Sequence, residues 1–254
     1  GTDISPLLRG KQNSWPERTL FVHHQGRFGE FVGDGPLIKG KDFSVMTQNW
    51  RLVGRELYDI IEDSGQRTDV ATGNPKAVKQ LVSEYDVWWT DISRGSEVYV
   101  PFVIDADKQQ EYTFSSQNWH GDAVPYNQKH VRSGMKANGF WVIDVVESGS
   151  YEIEVRRWPK EVDAAFNAKV ELGPYDPELH DVNTRMIKAP TMAIPVKSVR
   201  VKVGDYDQTV LVASTDPKIT FSAYLTKGEQ KVQTWLVTDE GDTWAAYYVY
   251  LRKI

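Results

Sequence analysis

Histidine side chains are the first residues to consider for chemistry, because imidazole acts as an acid, a base or a metal ligand near neutral pH. The chain has five histidines. His23 and His24 are adjacent on a predicted strand, so they point to opposite faces and cannot easily chelate one ion. His120 and His130, with Asp122 between them, lack both a helical i, i+4 spacing and an evident third ligand. We therefore predict no metal site and interpret these histidines as surface or loop residues.

Two acidic turns, at residues 205–207 and 239–242, contain carboxylates that could hold calcium. The twelve-residue pattern of an EF-hand loop is absent, so solvated hairpin tips are the favoured interpretation. The sequence also contains no glycine-rich phosphate loop and no G-x-S-x-G motif. The absence of cysteine excludes disulfides, thiolate zinc sites and a cysteine nucleophile.

Aromatic side chains near predicted turns could bind a sugar, since a flat apolar ring matches the C–H face of a pyranose. The candidates are Trp119, Tyr126, Trp141 and Trp158. Aromatic residues fill β-sandwich cores more often than they form binding platforms, so both interpretations stay open. Trp119 is predicted to be the best exposed candidate.

The composition limits the classes of partner. The 254 residues include 30 Lys and Arg against 35 Asp and Glu, for a net charge of −5, which argues against a nucleic-acid partner. The longest apolar run, residues 244–251, is far shorter than the roughly 20 residues that cross a bilayer. We predict no membrane span, and a hydrophobic content of 40% supports a buried core.

Local patterns predict one long helix in the first part of the chain. Asn74 is a typical N-cap, and Pro75 fits the first helical position, where a missing N–H costs nothing. The helix is expected to end near Asp91. Its apolar face follows the three-and-four spacing of a helix and consists of Val78, Leu81, Val82, Tyr85, Trp88 and Trp89.

After Ser96, short strand-like runs alternate with turns and no helix intervenes. In residues 199–203, for example, valines alternate with Arg200 and Lys202, and further predicted strands include residues 168–172 and 244–252. Many short strands at regular spacing indicate an antiparallel sandwich. We therefore predict two domains: residues 1–95, a small antiparallel sheet with one long helix, and residues 96–254, a jelly-roll-like β-sandwich. The fold class is α+β followed by all-β.

Several segments in the first predicted domain resemble one enzyme family. They are WPERTLFV at 15–22, WRLV at 50–53, ELYDI at 56–60, DVA at 69–71 and YDVWW at 85–89. In this order they are similar to the C-terminal subdomain of type I, formylglycine-dependent sulfatases, the arylsulfatase family. The β region resembles the extra domain of Bacteroidetes-type sulfatases, through NWHGD at 118–122, NGFW at 138–141, GSYEI at 149–153, RRWP at 156–159 and AYYVY at 246–250.

This resemblance implies a parent sulfatase whose formylglycine and calcium ligands lie in an N-terminal catalytic domain upstream of Gly1. Ser14, Pro16 and Arg18 imitate the formylglycine signature, but they lie directly before a predicted strand instead of at the start of a helix. We expect no catalytic residue, metal ligand or cofactor in this chain. The resemblance further implies a periplasmic or secreted parent.

The functional expectation is a C-terminal sulfatase fragment that is inactive alone, docks on the missing N-terminal domain and helps to recognise a sulfated small molecule or glycan. His23, His24, Gln25 and Arg27 are the candidate recognition residues, since cationic and imidazole donors suit an anionic substrate. Packing against the missing domain is an equal explanation for them. Trp119 is the candidate for sugar stacking. The alternative function is an independent, non-catalytic carbohydrate-binding or structural β-sandwich module.

Overall fold

The computed structural model describes residues 3–11, 16–24, 38–96, 98–171 and 190–254. These residues are mostly β-sheet and divide into two compact units, one ending at Val98 and the other beginning at Tyr99. The sequence-based limits of 1–95 and 96–254 stay a prediction, since compactness alone does not define a folding domain. No helix in these ranges is long and apolar enough to span a membrane.

The first unit is a four-stranded antiparallel sheet with one long helix. Its sheet contains, in spatial order, β1 (Leu20–His23), β2 (Phe43–Met46), β3 (Trp50–Val53) and β4 (Glu56–Asp59). Its helices are α1 (Ser5–Leu8), a 3₁₀ turn at Ala71–Gly73 and α2 (Pro75–Ile92).

Helix α2 confirms the predicted helix and buries the predicted face. Leu81, Tyr85 and Trp89, spaced four residues apart, pack against Val45 and Leu52 of the sheet. Pro75 occupies the first turn as expected. The Asn74 side chain makes no capping bond and instead donates from Nδ2 to the carbonyl oxygen of Val70, at 3.0 Å.

The face of this sheet that points away from α2 is uncovered in the described part of the unit. Because side chains alternate along a strand, Leu20, Val22 and Val53 lie on this side and are 44%, 47% and 41% exposed. Val22 and Val53 both flank Ser44 across neighbouring strands. These residues define the open face of the first unit.

The second unit consists of two sheets. The six-stranded sheet has the order β10 (Tyr206–Leu211), β9 (Val196–Val203), β12 (Gly228–Thr238), β7 (Phe140–Val145) and β5 (Phe102–Ile104), with β13 (Thr243–Trp244) paired to β12. The four-stranded sheet has the order β11 (Ile219–Leu225), β8 (Gly149–Arg156), β14 (Tyr248–Lys253) and β6 (Tyr112–Ser115). A 3₁₀ turn at Ser116–Asn118 and α3 (Gln128–Arg132) lie in the connections.

One hydrophobic core joins the inner faces of these two sheets. Trp141 and Val199 from the six-stranded sheet and Tyr151, Phe221 and Val249 from the four-stranded sheet belong to the same buried cluster. A shared core between two sheets defines a β-sandwich, which agrees with the predicted architecture at this level. Jelly-roll connectivity stays a prediction.

Three local expectations about strands differ from the structure. Strands β5 and β7 pair in parallel, whereas the pattern predicts only antiparallel pairs. The predicted strand at 168–172 is irregular over its described residues 168–171. The predicted strand at 244–252 is interrupted at 245–247, where the backbone N–H groups of Ala245 and Ala246 donate to Ala137 and to the Thr234 hydroxyl.

Candidate functional site

The outward-facing side of the six-stranded sheet carries a row of aromatic, amide and cationic side chains. In β12 the inward residues Val232, Thr234 and Leu236 are buried, so the alternating residues point outward. Cross-strand partners share this side. We call this set the outer face: Phe140, Arg200, Lys202, Lys231, Gln233 and Trp235.

Strand register brings these side chains together from three different strands. Gln233 lies opposite Lys202 of β9 on one side and opposite Phe140 of β7 on the other. Trp235 lies opposite Arg200. Trp235 and Phe140 are therefore diagonal neighbours, and such positions are about 7–8 Å apart in a sheet.

The aromatic row continues beyond Phe140. His120 forms an isolated bridge with Phe140, exchanging backbone hydrogen bonds of 2.7 and 3.0 Å. The Tyr99 ring lies 4.0 Å from the imidazole of His120 and meets Phe140 edge-on at 5.5 Å. All three side chains are half-buried, so each packs on the sheet and keeps part of its surface in solvent.

Cations lie over the aromatic rings of the outer face. The Arg200 guanidinium stacks 4.6 Å from the centre of the Trp235 ring, and Lys231 Nζ lies 4.3 Å from that of Phe140. Arg200 also donates two hydrogen bonds to Asp207, at 2.6 and 2.5 Å. These bonds raise the pKa of Arg200 and lower the pKa of the Asp207 carboxyl.

Lys202 and Lys231 are different from Arg200, because neither forms a salt bridge within the described ranges. The ion pairs of this sheet that the structure shows are Arg200 with Asp207 and Lys197 with Asp239. The register also sets carboxylates on this side, with Asp207 opposite Lys202 and with Glu229, opposite Asp144, two positions before Lys231 on β12. The outer face therefore carries interspersed positive and negative groups instead of a uniform positive charge. Each of the two ammonium groups can still offer a charge-assisted hydrogen bond to an anionic group of a ligand.

An amide pair fixes the centre of the outer face. Gln233 Nε2 donates to Asn138 Oδ1 at 2.7 Å, and Asn138 Nδ2 donates to the carbonyl oxygen of Thr234 at 3.2 Å. The Gln233 side chain is thus held in one orientation between Lys202 and Phe140. Its amide retains unused hydrogen-bonding capacity for a ligand hydroxyl.

Trp119, the candidate sugar platform, is in the core, and its predicted exposure is wrong. The side chain is 3% exposed, and its indole N–H donates to the carbonyl oxygen of Ala123 at 3.1 Å. Its ring contacts Trp141 and Tyr247, with centroids 5.9 and 6.5 Å apart. Tyr126 is half-buried, and Trp141 and Trp158 are buried.

The predicted recognition residues around His23 are placed only in part. The His23 ring faces α2, 4.7 Å from Trp89, and its Nδ1 lies 3.2 Å from the Tyr85 hydroxyl. His24 is exposed, and its backbone N–H donates to Asp42. Gln25 and Arg27 lie outside the described residues. The role of both histidines in recognition stays a prediction.

Glu154, the most buried carboxylate among the described residues, is held in an ion-pair network on the four-stranded sheet. Arg156 Nε donates to it at 2.6 Å and Lys218 Nζ at 3.0 Å. Burial raises the pKa of Glu154, but these bonds outweigh burial and leave the pKa below its ordinary value. A carboxyl that stays ionised at neutral pH and is already paired is unsuited to general-acid catalysis.

Metal binding has no geometric support among the residues that the structure covers. No three His, Asp or Glu side chains there are arranged around a common point. In the two acidic turns that could hold calcium, Asp207 pairs with Arg200, Asp242 with Lys136 and Asp239 with Lys197.

Comparisons with known proteins do not assign this chain to a family. No family model matches the sequence, and no curated protein is significantly similar to it. Among solved structures, a ruminal GH26 endo-β-1,4-mannanase matches 57% of the chain, with 14% sequence identity and a TM-score of 0.31. A GH26-CBM35 β-(1,4)-mannanase from Podospora anserina also matches 57% of the chain, with 9% identity and a TM-score of 0.30. A family 35 carbohydrate-binding module from Clostridium thermocellum matches 61% of the chain, with 12% identity and a TM-score of 0.26.

The matched regions cover 26% and 28% of the two mannanases and all of the carbohydrate-binding module. None of these three structures is a sulfatase. TM-scores of this size do not establish a common fold, so the candidate site rests on its own geometry.

Proposed function

We propose that the second unit is a non-catalytic carbohydrate-binding module and that its outer face is the binding surface. The observation that carries this proposal is the register that sets Trp235 and Phe140 on either side of the fixed amide of Gln233. Two aromatic rings on adjacent strands can each contact the C–H face of a sugar, while the amide between them bonds to hydroxyl groups.

The cationic groups placed over the two aromatic rings favour an acidic or sulfated saccharide. Arg200 and Lys231 already lie over the two rings, so a ligand must displace these cations or interact with them. A sulfate or carboxylate group on the saccharide can interact with these cations instead of displacing them, because it pairs with the cation that borders the ring. Lys202, beside Gln233, offers a further ammonium group for the same purpose.

Affinity measurements on matched variants test this function. We expect the full chain to bind heparin or chondroitin sulfate more tightly than the desulfated polymers, and Trp235→Ala to weaken binding at least about tenfold, since this removes a stacking surface. Lys202→Gln with Lys231→Gln should remove the preference for the sulfated form and reduce the salt dependence of binding. Isothermal titration calorimetry at two salt concentrations measures both effects.

Exposed residues away from the outer face provide the controls. Tyr224 is 67% exposed on β11 of the other sheet, and Lys227 is exposed in a turn. Tyr224→Ala and Lys227→Gln should bind like the parent chain. Equal losses in the control and outer-face variants, or no binding to any polysaccharide, would contradict the proposal.

A second candidate function is favoured by the open face of the first unit. We propose that this unit is the C-terminal subdomain of a formylglycine-dependent sulfatase and that the open face packs against the catalytic domain. Leu20, Val22 and Val53 are apolar and at least two-fifths exposed, which is typical of a surface that another domain covers. The four strands and covering helix match the arrangement that the family resemblance implies.

Assays on p-nitrophenyl sulfate test whether this unit depends on a separate catalytic domain. We expect no turnover by the full chain with calcium, because the described residues include neither a metal cluster nor an unpaired buried carboxylate. Ser14→Ala should behave identically. Turnover that this substitution abolishes would contradict the proposal and assign the chemistry to the chain itself.

A further inference from the structure

A cleft of about 450 Å³ lies within the first unit, between the start of β1, the turn joining β2 to β3 and the first half of α2. This volume falls within the range of small-molecule sites. The cleft is unrelated to the outer face, which belongs to the other unit. Nothing in the functions proposed above makes use of it.

One wall of the cleft is a rigid turn that presents two amides. The backbone N–H of Thr47 donates to the carbonyl of Trp50 at 2.8 Å, and the N–H of Trp50 donates to the Thr47 hydroxyl at 3.0 Å. Asn49 is held from the other side, since its carbonyl accepts from Ile60 at 2.8 Å. Gln48 and Asn49 are exposed at the tip and line the cleft, as does the half-buried Trp50.

The opposite wall is a carboxylate fixed by neutral donors. Glu84 on α2 accepts from the Thr19 hydroxyl at 2.5 Å and from Gln80 Nε2 at 2.9 Å. Each carboxylate oxygen thus has one bond and retains a second lone pair. The position of Glu84 is set before any ligand arrives.

Among the described residues that line the cleft, negative charges outnumber positive ones. Glu17 and Glu84 line it together with one cation, Arg18. The salt bridges that the structure shows in the first unit are Lys39 with Asp86 and Arg94 with Asp91, so neither glutamate has a cationic partner in the described part of the chain. A ligand ammonium group would supply the missing positive charge.

We propose that this cleft binds a small hydroxylated amine of amino-sugar size. The ammonium group pairs with Glu84, the carbon skeleton lies against Trp50, and hydroxyl groups bond to the amides of Gln48 and Asn49. A tryptophan wall adds a further contribution, because its ring attracts a nearby cation. A neutral sugar lacks the charge that Glu84 requires, and an anionic sugar is repelled.

Titration of the full chain with D-glucosamine, D-glucose and N-acetyl-D-glucosamine tests this site. We expect saturable binding of glucosamine, with a dissociation constant of about 1 mM or lower, and movement of the Trp50 indole N–H signal in NMR spectra. Glu84→Gln keeps the side-chain shape and removes the charge, so it should weaken glucosamine binding at least about tenfold. Glu62→Gln, at an exposed carboxylate outside the cleft, is the charge-matched control and should bind normally.

Trp50→Phe keeps an apolar ring and separates a binding defect from misfolding. With an unchanged circular dichroism spectrum, it should bind glucosamine more weakly. The proposal is overturned if glucosamine does not saturate the protein, if glucose or N-acetylglucosamine binds equally well, or if Glu84→Gln and Glu62→Gln behave alike.

Discussion

Replacing Arg157 with methionine should destabilise the β-sandwich by about 3 kcal/mol or more. Arg157 is fully buried and donates to the backbone carbonyls of Phe166, Ala168 and Met192. Methionine fills much of the space but has no N–H groups, so these carbonyls lose their partner. The bond to Phe166 is buried and the other two are partly buried, and each buried polar group left unsatisfied costs roughly 1–3 kcal/mol.

The charge of Arg157 modifies this expectation without reversing it. Burial lowers the pKa of Arg157 to about 10, and the described residues provide no carboxylate salt bridge for it. Removing the guanidinium relieves this desolvation cost. We expect the lost bonds to exceed the relief, because Arg157 joins three carbonyls in irregular segments that no strand pairing holds.

Urea unfolding of the full chain, followed by circular dichroism, measures the Arg157→Met effect. Arg252→Met removes a guanidinium that is about half exposed and should shift the transition little. Arg157→Lys retains a cation but not the planar fork of donors, so it should fall between the parent chain and Arg157→Met. Equal midpoints for all three variants would show that the buried guanidinium adds no net stability.

Replacing Trp119 with alanine should cost about 3–5 kcal/mol of stability, the usual range for truncating a large buried aromatic residue. The change also removes the hydrogen bond to Ala123 and the ring contacts with Trp141 and Tyr247. The neighbouring backbone at Gly139 is in such close contact that a methyl group there would lie 2.6 Å from the Trp119 ring. The site therefore has little freedom to collapse around a smaller side chain.

Trp235→Ala is the matched comparison for Trp119→Ala, because it should reduce binding more than stability. Trp235 is half-exposed and packs under Arg200, so its loss should lower affinity for the polysaccharide much more than stability. Thermal unfolding and calorimetric titration of both variants separate the two roles. A Trp119→Ala protein that unfolds like the parent chain but no longer binds would contradict the core assignment.

Local sequence patterns predict much of the fold because the signals that define it are local. The Asn74-Pro75 start and the three-and-four spacing locate α2, and the alternation around Arg200 and Lys202 identifies a half-buried strand. The interruption at 245–247 is not predictable in this way. It depends on the hydroxyl of Thr234, which lies on another strand.

The candidate site is less predictable because it depends on register between distant strands. The alternation of Lys231, Gln233 and Trp235 with Val232, Thr234 and Leu236 is visible in the sequence and indicates an outward-pointing tryptophan. No local pattern shows that Gln233 lies opposite Phe140. The burial of Trp119 is not visible in a local pattern either, because it involves close contact with Gly139, a residue distant in sequence.

The position of β14 has a consequence for how the sandwich folds. β14 lies between β6 and β8 and hydrogen-bonds to both, so within the described ranges the strand partner of residues 112–115 is residues 248–251. Bringing together two segments so far apart in the chain costs loop-closure entropy before their contacts can stabilise the sheet. We therefore expect the four-stranded sheet to form slowly, and only after β14 has been synthesised. Until then the strand edges of β6 and β8 stay exposed to chaperones or aggregation.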